Sequence, residues 1–258
     1  MLLPTNKQHV SFSEISEWKK CTWKHKLKYI EAINLSTRTE YLDFGVAIHA
    51  ACENFLKTKK MDLSFATNII HEAWKEHSFT DIEKWLLMAE NILNDIPSFF
   101  EETFNNWEYI SAEEKLYESI PDKSDVMFKG YIDGIIKYSD SKGKSKYCIV
   151  DYKTCSWGWP RHKKQSFDIA MQLIFYKNFW AAKHNISLKD IKCGFVLCKR
   201  AGKPGKMCEF VPISVGEVTT KRAFKIINNM ITSLHRGIAI KNRESCKWCE
   251  YKDTEYCP

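Results

Sequence analysis

Hydrophobic positions in the first 110 residues recur every three or four positions, which is the period of an amphipathic helix. This spacing runs along "SFSEISEWKKCTWKHKLKYI", where Ser11 and Ser13 are candidate caps, and along "YLDFGVAIHAACENFLKT". Residues 62–78 and 81–107 are rich in Trp, Leu, Ile and Phe and indicate two more helices, with Pro97 favouring a break in the second. The N-terminal part is therefore predicted to be helical.

After this part the pattern changes to short apolar or alternating runs separated by polar turns, which is typical of strands. The first three predicted strands are "EKLYESI", "VMFKGYIDGIIKY" and "KYCIVDYKT". A helix follows in "SFDIAMQLIFYKNFWAAKH", with Ser166 as its predicted cap and Asp168 in its first turn. Two more strands, "IKCGFVLCK" and "MCEFVPISV", precede a last helix near 216–237. This order predicts an α/β fold with a mixed central sheet flanked by helices.

The composition is that of a folded protein and sets limits on its environment. Of the 258 residues 44% are hydrophobic, and 39 Lys and Arg against 32 Asp and Glu give a formal charge of +7, which suits a polyanionic partner without proving one. The chain has no apolar run of about 18 to 20 residues, and "MLLPTNKQHV" lacks the pattern of a signal peptide. We therefore expect no membrane contact and a cytoplasmic location, in which the ten cysteines bind metal or remain thiols.

Two charged residues stand at the end of a predicted buried strand, in "CIVDYKTCSW". Asp151 and Lys153 are two positions apart, so they point to the same side of the strand. A carboxylate there can bind a divalent cation, and a neighbouring ammonium can orient water or stabilise negative charge. Taken alone, the same pair is also compatible with a solvated strand end.

Further polar residues fall at positions that this chemistry would use. Asp133 lies among isoleucines in "GYIDGI", where an unpaired carboxylate would be costly, so it binds a shared metal, a turn or a lysine. Gln172 and Tyr176 are four residues apart and share one helix face, although a core Tyr and a solvated Gln are equally ordinary. His49 lies beside an apolar helix stripe, where a histidine is either a ligand or simply exposed.

The order of "GVAIHAACE", "GYIDGI", "DYKT" and "QLIFY" resembles the RecB-like branch of the PD-(D/E)XK nuclease superfamily. The resemblance implies a restriction-endonuclease-like fold as a single nuclease domain over 1–258. It comprises a helical part over 1–110, a nuclease core over 111–240 and a cysteine-rich tail over 241–258.

The resemblance also implies roles for individual residues. The ligands of Mg²⁺ or Mn²⁺ would be His49, Asp133, Asp151 and the backbone carbonyl of Tyr152. Lys153 would position or activate the attacking water, and Gln172 and Tyr176 would support the site and contact the nucleic-acid backbone. Glu118 is similar in place to an acidic residue of some relatives. The catalytic set would thus be Asp133, Asp151, Lys153, Gln172 and Tyr176.

The C-terminal tail contains a close array of cysteines, Cys246, Cys249 and Cys257, which need a fourth partner to complete a four-thiolate centre. Spacing selects no partner. The resemblance to CRISPR-associated iron-sulfur exonucleases and AddB-type nuclease domains implies Cys21 as the fourth ligand of a 4Fe-4S cluster that staples the tail. A zinc site with the same ligands, or no metal at all, remains the alternative.

A basic and aromatic segment, "CSWGWPRHKKQ", follows the D-x-K pair directly. It is a candidate contact for single-stranded DNA, in which bases stack on Trp and phosphates meet cations. Its expected nucleic-acid-binding residues are Trp157, Trp159, Arg161, Lys163 and Lys164. The other interpretation is a segment that is basic by chance, with one Trp packed onto the core.

These observations lead to one main hypothesis and two alternatives. The main hypothesis is a metal-dependent DNA exonuclease that acts on single-stranded ends in DNA processing, repair or recombination, with recombination, helicase or adaptation-complex proteins as partners. The first alternative is a non-catalytic DNA-binding or scaffolding subunit of a helicase-nuclease or CRISPR adaptation complex. The second is a zinc-stabilised structural protein whose carboxylates only cap strands.

Overall fold

The fold is described from a computed structural model that covers residues 2–258, with the side chain of Ser124 left out. Helices α1 to α8 are Phe12–Lys20, Thr22–His25, Glu40–Thr58, Ser64–His77, Ile82–Thr103, Arg161–Lys164, Phe167–His184 and Glu217–His235. Strands β1 to β6 are His9–Ser11, Glu108–Ile120, Lys123–Ser139, Ser145–Cys155, Ile191–Lys199 and Cys208–Pro212. A π-helical turn, Lys26–Ile30, and two 3₁₀ turns, Leu188–Asp190 and Arg243–Trp248, complete the secondary structure of the described residues.

The chain forms two compact units. The first contains the chain up to Thr37 together with Lys115–Gly130 and Val215–Pro258. The second contains Arg38–Glu114 and Tyr131–Ser214. Strands β2 and β3 each contribute residues to both units, and the expectation of a single domain over 1–258 stays a prediction.

In the first unit a short strand leads into the first helix. β1 pairs in parallel with the beginning of β3, and His9 lies opposite Met127. The hydroxyl of Ser11 then accepts a hydrogen bond from the backbone N–H of Glu14 at 3.3 Å, which caps α1 as its sequence position predicts. α1 ends where Cys21 adopts an extended backbone, and α2 begins at the next residue. Cys21 therefore separates two helices.

The second unit contains the mixed sheet that the hydrophobic pattern predicts. β3 is antiparallel to β4, β4 is parallel to β5, and β5 is antiparallel to β6. α3 and α5 share a buried core with one face of this sheet, in which Tyr152 takes part. Asp151 points to the opposite face, as alternation along a strand requires, and there it meets Gln172 of α7. The predicted α/β class with helices flanking a mixed sheet is confirmed.

Some predictions about single elements were wrong. α5 does not break at Pro97, which lies inside the continuous helix Ile82–Thr103. Proline removes one helical hydrogen bond, but the buried residues around it, Leu93, Ile96 and Phe100, hold the helix against the core. The strand β1 was not predicted, and β2 begins at Glu108, before the predicted "EKLYESI". No helix in the described part of the chain is long and apolar enough to span a membrane.

Candidate active site

Asp151 and Lys153 form an ion pair at the end of β4. The ammonium of Lys153 contacts Asp151 Oδ2 and lies 5.8 Å from the ring centroid of Phe195 on the neighbouring strand β5. The side chain of Asp151 is only 1% exposed, whereas that of Lys153 is 34% exposed. Because the carboxylate of Asp151 is buried, the pair is not the solvated strand end that was the alternative interpretation of the sequence.

Asp133 reaches the same place from β3. Its Oδ2 accepts a hydrogen bond from the backbone N–H of Tyr152 at 2.8 Å and lies 3.3 Å from Nδ1 of His49 on α3. The His49 ring also meets the ring of Tyr152 edge to face, with centroids 5.8 Å apart. The helix and the two strands thus bring His49 and Asp133 to the backbone that joins Asp151 to Lys153.

Gln172 links the buried carboxylate to α7. Its Nε2 donates hydrogen bonds to Asp151 Oδ1 at 2.7 Å and to the hydroxyl oxygen of Tyr176 at 3.2 Å. The spacing of four residues places both side chains on one face of α7, as predicted. This face orients Asp151 from the side opposite α3.

The charges at this site shift the protonation of its members. Burial and the nearby charge of Asp151 raise the pKa of Asp133 well above its usual range. Desolvation lowers the pKa of His49, against the attraction of Asp151. Desolvation alone would lower the pKa of Lys153, but the carboxylates of Asp151 and Asp133 raise it, so Lys153 is a cation.

Two carboxylates that repel each other beside an imidazole are a donor set that suits Mg²⁺ or Mn²⁺. Asp151 Oδ2 is buried and accepts no regular hydrogen bond from the described residues. It forms an ion pair with the Lys153 ammonium. Within residues 2–258, no three His, Cys, Asp or Glu side chains are arranged as a complete metal site. The chemistry of the donors therefore fits a divalent cation, while the carboxylates are held by Tyr152, Lys153 and Gln172.

A cavity of about 490 Å³ opens beside these residues. Lys153 and His49 line it together with Glu113, a residue of β2 with a backbone φ of 50°. Burial and the charge of Glu53 raise the pKa of Glu113. The sequence pointed instead to Glu118, which belongs to the first unit. Nothing in "SAEEKL" distinguishes Glu113, because its position in the cavity depends on a left-handed backbone within the strand.

The basic segment after β4 contains one exposed and one buried tryptophan. Trp157 is 79% exposed, whereas Trp159 is buried with its ring 5.1 Å from that of Phe195. The ammonium of Lys163 lies over the Trp159 ring, and Lys164 pairs with Glu209. Arg161 is exposed at the start of α6. The nucleic-acid-binding role of these residues stays a prediction, with Trp157 as the ring available for stacking.

The comparison with protein families identifies the chain. The sequence profile of the PD-(D/E)XK nuclease superfamily matches residues 9–258. The chain belongs to the PD-(D/E)XK nuclease superfamily. Membership of this superfamily accounts for the mixed sheet and for a D-x-K pair at the end of one of its strands, and superfamily members generally use Mg²⁺ or Mn²⁺.

A solved structure agrees with this assignment. A crystal structure of a candidate exonuclease from Eubacterium rectale superposes with a TM-score of 0.61 and covers 98% of this chain and 91% of that chain. The two sequences are 11% identical, so the similarity concerns the fold. No curated protein sequence is significantly similar to the chain.

The four cysteines expected to bind a cluster belong to the first unit of this PD-(D/E)XK chain. The indole N–H of Trp23 donates to the carbonyl oxygen of Tyr256 at 3.1 Å, next to Cys257. Lys24 pairs with Glu250 at 2.8 Å, next to Cys249. The tail therefore contacts Trp23 and Lys24, which lie two and three positions after Cys21.

The sulfur of Cys21 already accepts hydrogen bonds of the kind that stabilise metal-bound thiolates. The backbone N–H of Asn242 lies 3.4 Å from it and that of Lys24 lies 3.5 Å from it. The thiols of Cys21, Cys246, Cys249 and Cys257 are free. Among residues 2–258 the structure groups no three of these thiols into a metal site, and the iron-sulfur assignment stays a prediction.

Proposed function

We propose that the chain is a metal-dependent deoxyribonuclease of the RecB-like branch. The observation that carries this proposal is the group near the end of β4, where Asp133 contacts His49 and Asp151 pairs with the Lys153 ammonium. His49 and Lys153 also line a cavity. This group contains the ligand types and the cation that phosphodiester hydrolysis needs. Its position in the PD-(D/E)XK fold supports the same reaction.

Each residue has a distinct part in the proposed reaction. Asp133, Asp151, His49 and the Tyr152 carbonyl would hold Mg²⁺ or Mn²⁺, which supplies Lewis acidity and a more acidic water. Lys153 donates hydrogen bonds to the attacking water and to the charge that develops on the phosphate. Gln172 fixes the orientation of Asp151, and Tyr176 fixes Gln172.

The proposed substrate is the end of a single DNA strand, which makes the enzyme an exonuclease in DNA processing, repair or recombination. The exposed Trp157 and the cations of α6, close in sequence to Lys153, support a single-stranded substrate because aromatic rings stack on unpaired bases. The fold shared with the Eubacterium rectale protein is compatible with this activity.

The proposal includes a 4Fe-4S cluster on Cys21, Cys246, Cys249 and Cys257. The hydrogen bonds to the sulfur of Cys21 and the contacts of the tail with Trp23 and Lys24 support it. Such a cluster would attach the tail to Cys21, between α1 and α2, and zinc is the competing occupant.

The decisive experiment measures metal-dependent cleavage of end-labelled single-stranded and double-stranded DNA. We expect cleavage of the single strand with Mn²⁺ or Mg²⁺ and none in EDTA. Asp151→Asn and Lys153→Ala should each lower the rate by about 100-fold or more. The matched control is Lys142→Ala, an exposed lysine in the turn between β3 and β4, which should cleave as the wild type does.

The result can also point to the non-catalytic alternative. Wild-type protein that binds DNA in every metal condition and never cuts it would overturn the nuclease proposal in favour of a scaffolding subunit. Circular dichroism of Asp151→Asn and Lys153→Ala would show whether either loss of activity comes from unfolding.

A further inference from the structure

The cavity beside Lys153 has a second wall that the catalytic residues do not use. This wall is one face of α3, where Leu42, Val46 and Ala50 recur four residues apart and Tyr41 lies at the end. Tyr41 and Leu42 are each 54% exposed and Val46 is 45% exposed. Single exposed apolar residues need no explanation, but these are contiguous and line one cavity together with Lys153 and the candidate metal ligand His49.

The aromatic ring of this wall is held in a fixed position. Tyr41 meets Trp85 edge to face with centroids 5.3 Å apart, and the Arg200 guanidinium lies 4.6 Å from the Tyr41 centroid. Arg200 in turn donates a hydrogen bond to the hydroxyl of Ser156 at 3.0 Å. The rim of the cavity thus has a rigid ring with a cation beside it.

A glycine of α3 also lines the cavity. Gly45 lies on the same face of α3, and a Cβ added there would stand 3.7 Å from Oγ1 of Thr154 at the end of β4. A larger side chain would narrow the gap between α3 and β4. A single methyl group there would make only an ordinary van der Waals contact, so the space beside Lys153 tolerates a small side chain at position 45 but not a large one.

We propose that this face of α3 is the binding subsite for the unpaired base next to the scissile phosphate, with Arg200 meeting an adjoining phosphate. The inference rests on the proposed nuclease function, since it places the phosphate beside Lys153. An unpaired base can pack against an aromatic ring and aliphatic side chains, while a neighbouring cation contacts its phosphate. A base within a duplex is covered on both faces, so the subsite selects single-stranded or frayed ends.

A series of abasic oligonucleotides tests this subsite directly. The probe is a fluorescent single-stranded oligonucleotide in metal-free buffer, with one base removed at each position in turn, and anisotropy gives the Kd. For the wild type we expect the Kd to rise about tenfold when one particular base is missing. For Leu42→Ala combined with Val46→Ala, removal of that base should change the Kd less than about twofold.

The control is Leu87→Ala, which truncates a leucine of α5 that is 58% exposed and does not line the cavity. This variant should keep the full tenfold discrimination. Both altered positions of the double variant are exposed, so its thermal unfolding should match that of the wild type. The subsite would be refuted if the double variant discriminated as the wild type does, or if no missing base affected wild-type binding.

The outcome separates the subsite from the proposed function. Wild-type protein that cuts DNA with Mn²⁺ but shows no position-specific effect would leave the nuclease function intact and refute the subsite alone. Wild-type protein that neither cuts nor binds DNA would refute both.

Discussion

At the scale of single residues, Asp151 and Lys153 depend on neighbours far away in sequence. Asp151 accepts a hydrogen bond from Gln172, and Asp133 accepts one from the backbone of Tyr152. These bonds compensate the buried carboxylates, since an unpaired charge in this environment would cost several kcal/mol or change its protonation. The D-x-K pair is therefore part of a network that spans two strands and a helix.

Gly134, the neighbour of Asp133, shows how closely this network is packed. A Cβ at Gly134 would lie 2.4 Å from Cδ1 of Leu56 and 3.0 Å from Cγ2 of Val150. Leu56 belongs to α3, the helix that also carries His49. The absence of a side chain at Gly134 allows α3 to approach the strand that carries Asp133.

We expect Gly134→Ala to lower the free energy of unfolding by about 1 to 3 kcal/mol because the added methyl group overpacks the core. Urea unfolding followed by circular dichroism measures the change. Leu56→Ala removes the side chain that the new methyl group would meet, so the combined variant should be more stable than the two separate losses predict. Strictly additive losses would contradict this explanation.

At the scale of elements, the carboxylate of Glu114 on β2 contacts three side chains of α7 within the second unit. Glu114 accepts hydrogen bonds from Nε1 of Trp180 at 3.0 Å and from Nζ of Lys183 at 2.9 Å, and its Oε1 lies 2.6 Å from Nε2 of His184. Partial burial alone would raise the pKa of Glu114, but these bonds and one from Ser111 lower it to about 2. The charged form is therefore favoured in the folded protein.

A lowered pKa makes this contribution to stability dependent on pH. The stabilisation is complete above the unfolded pKa of Glu, about 4.3, and is lost as the pH falls towards about 2. Glu114→Gln should therefore lower the Tm at pH 7, and its difference from the wild type should shrink below pH of about 5. Thermal unfolding over this pH range measures it. Glu108→Gln, at the exposed start of β2, is the control, and an equal pH trend in both variants would contradict the prediction.

The helices and strands themselves were largely predictable from the sequence. Apolar spacing in "YLDFGVAIHAACENFLKT" predicted α3, and the run "KYCIVDYKT" predicted β4. Pro97 was misjudged because local propensity counts the lost hydrogen bond but not the core contacts of Ile96 and Phe100. The three residues of β1 were missed because so short a strand is defined by its partner β3.

At the scale of the whole molecule, the N-terminal and C-terminal segments belong to the first unit, and the candidate catalytic residues belong to the second. The first unit contains α2 and the C-terminal tail, joined through Trp23, Lys24 and the sulfur of Cys21. A four-thiolate cluster would connect segments more than 200 residues apart. Closing so long a loop restricts the unfolded chain strongly and stabilises the folded unit.

The cluster has a spectroscopic test that is independent of nuclease activity. Protein purified without oxygen should be brown and absorb at about 400 nm, as thiolate-bound iron-sulfur clusters do. Cys257→Ser should lower both the absorption and the iron content, and it should lower the Tm. Cys155→Ser, which alters a half-buried thiol outside the proposed ligand set, should retain all three. A colourless protein with stoichiometric zinc would refute the iron-sulfur assignment.

The sequence by itself determined the elements, the α/β class and a short set of chemically suitable residues, because periodicity and residue type are local properties. The tertiary structure decided which of those residues meet. Asp133, Asp151 and His49 converge because β3 pairs with β4 beside Asp151 and the middle of α3 packs against both strands. Glu113 joins the cavity through a left-handed backbone position that no motif marks. In the sequence, Tyr41, Leu42 and Val46 look like part of an ordinary apolar helix stripe. Only the structure shows that their side chains are exposed. Contacts between distant residues depend on packing, which a pattern along the chain does not contain.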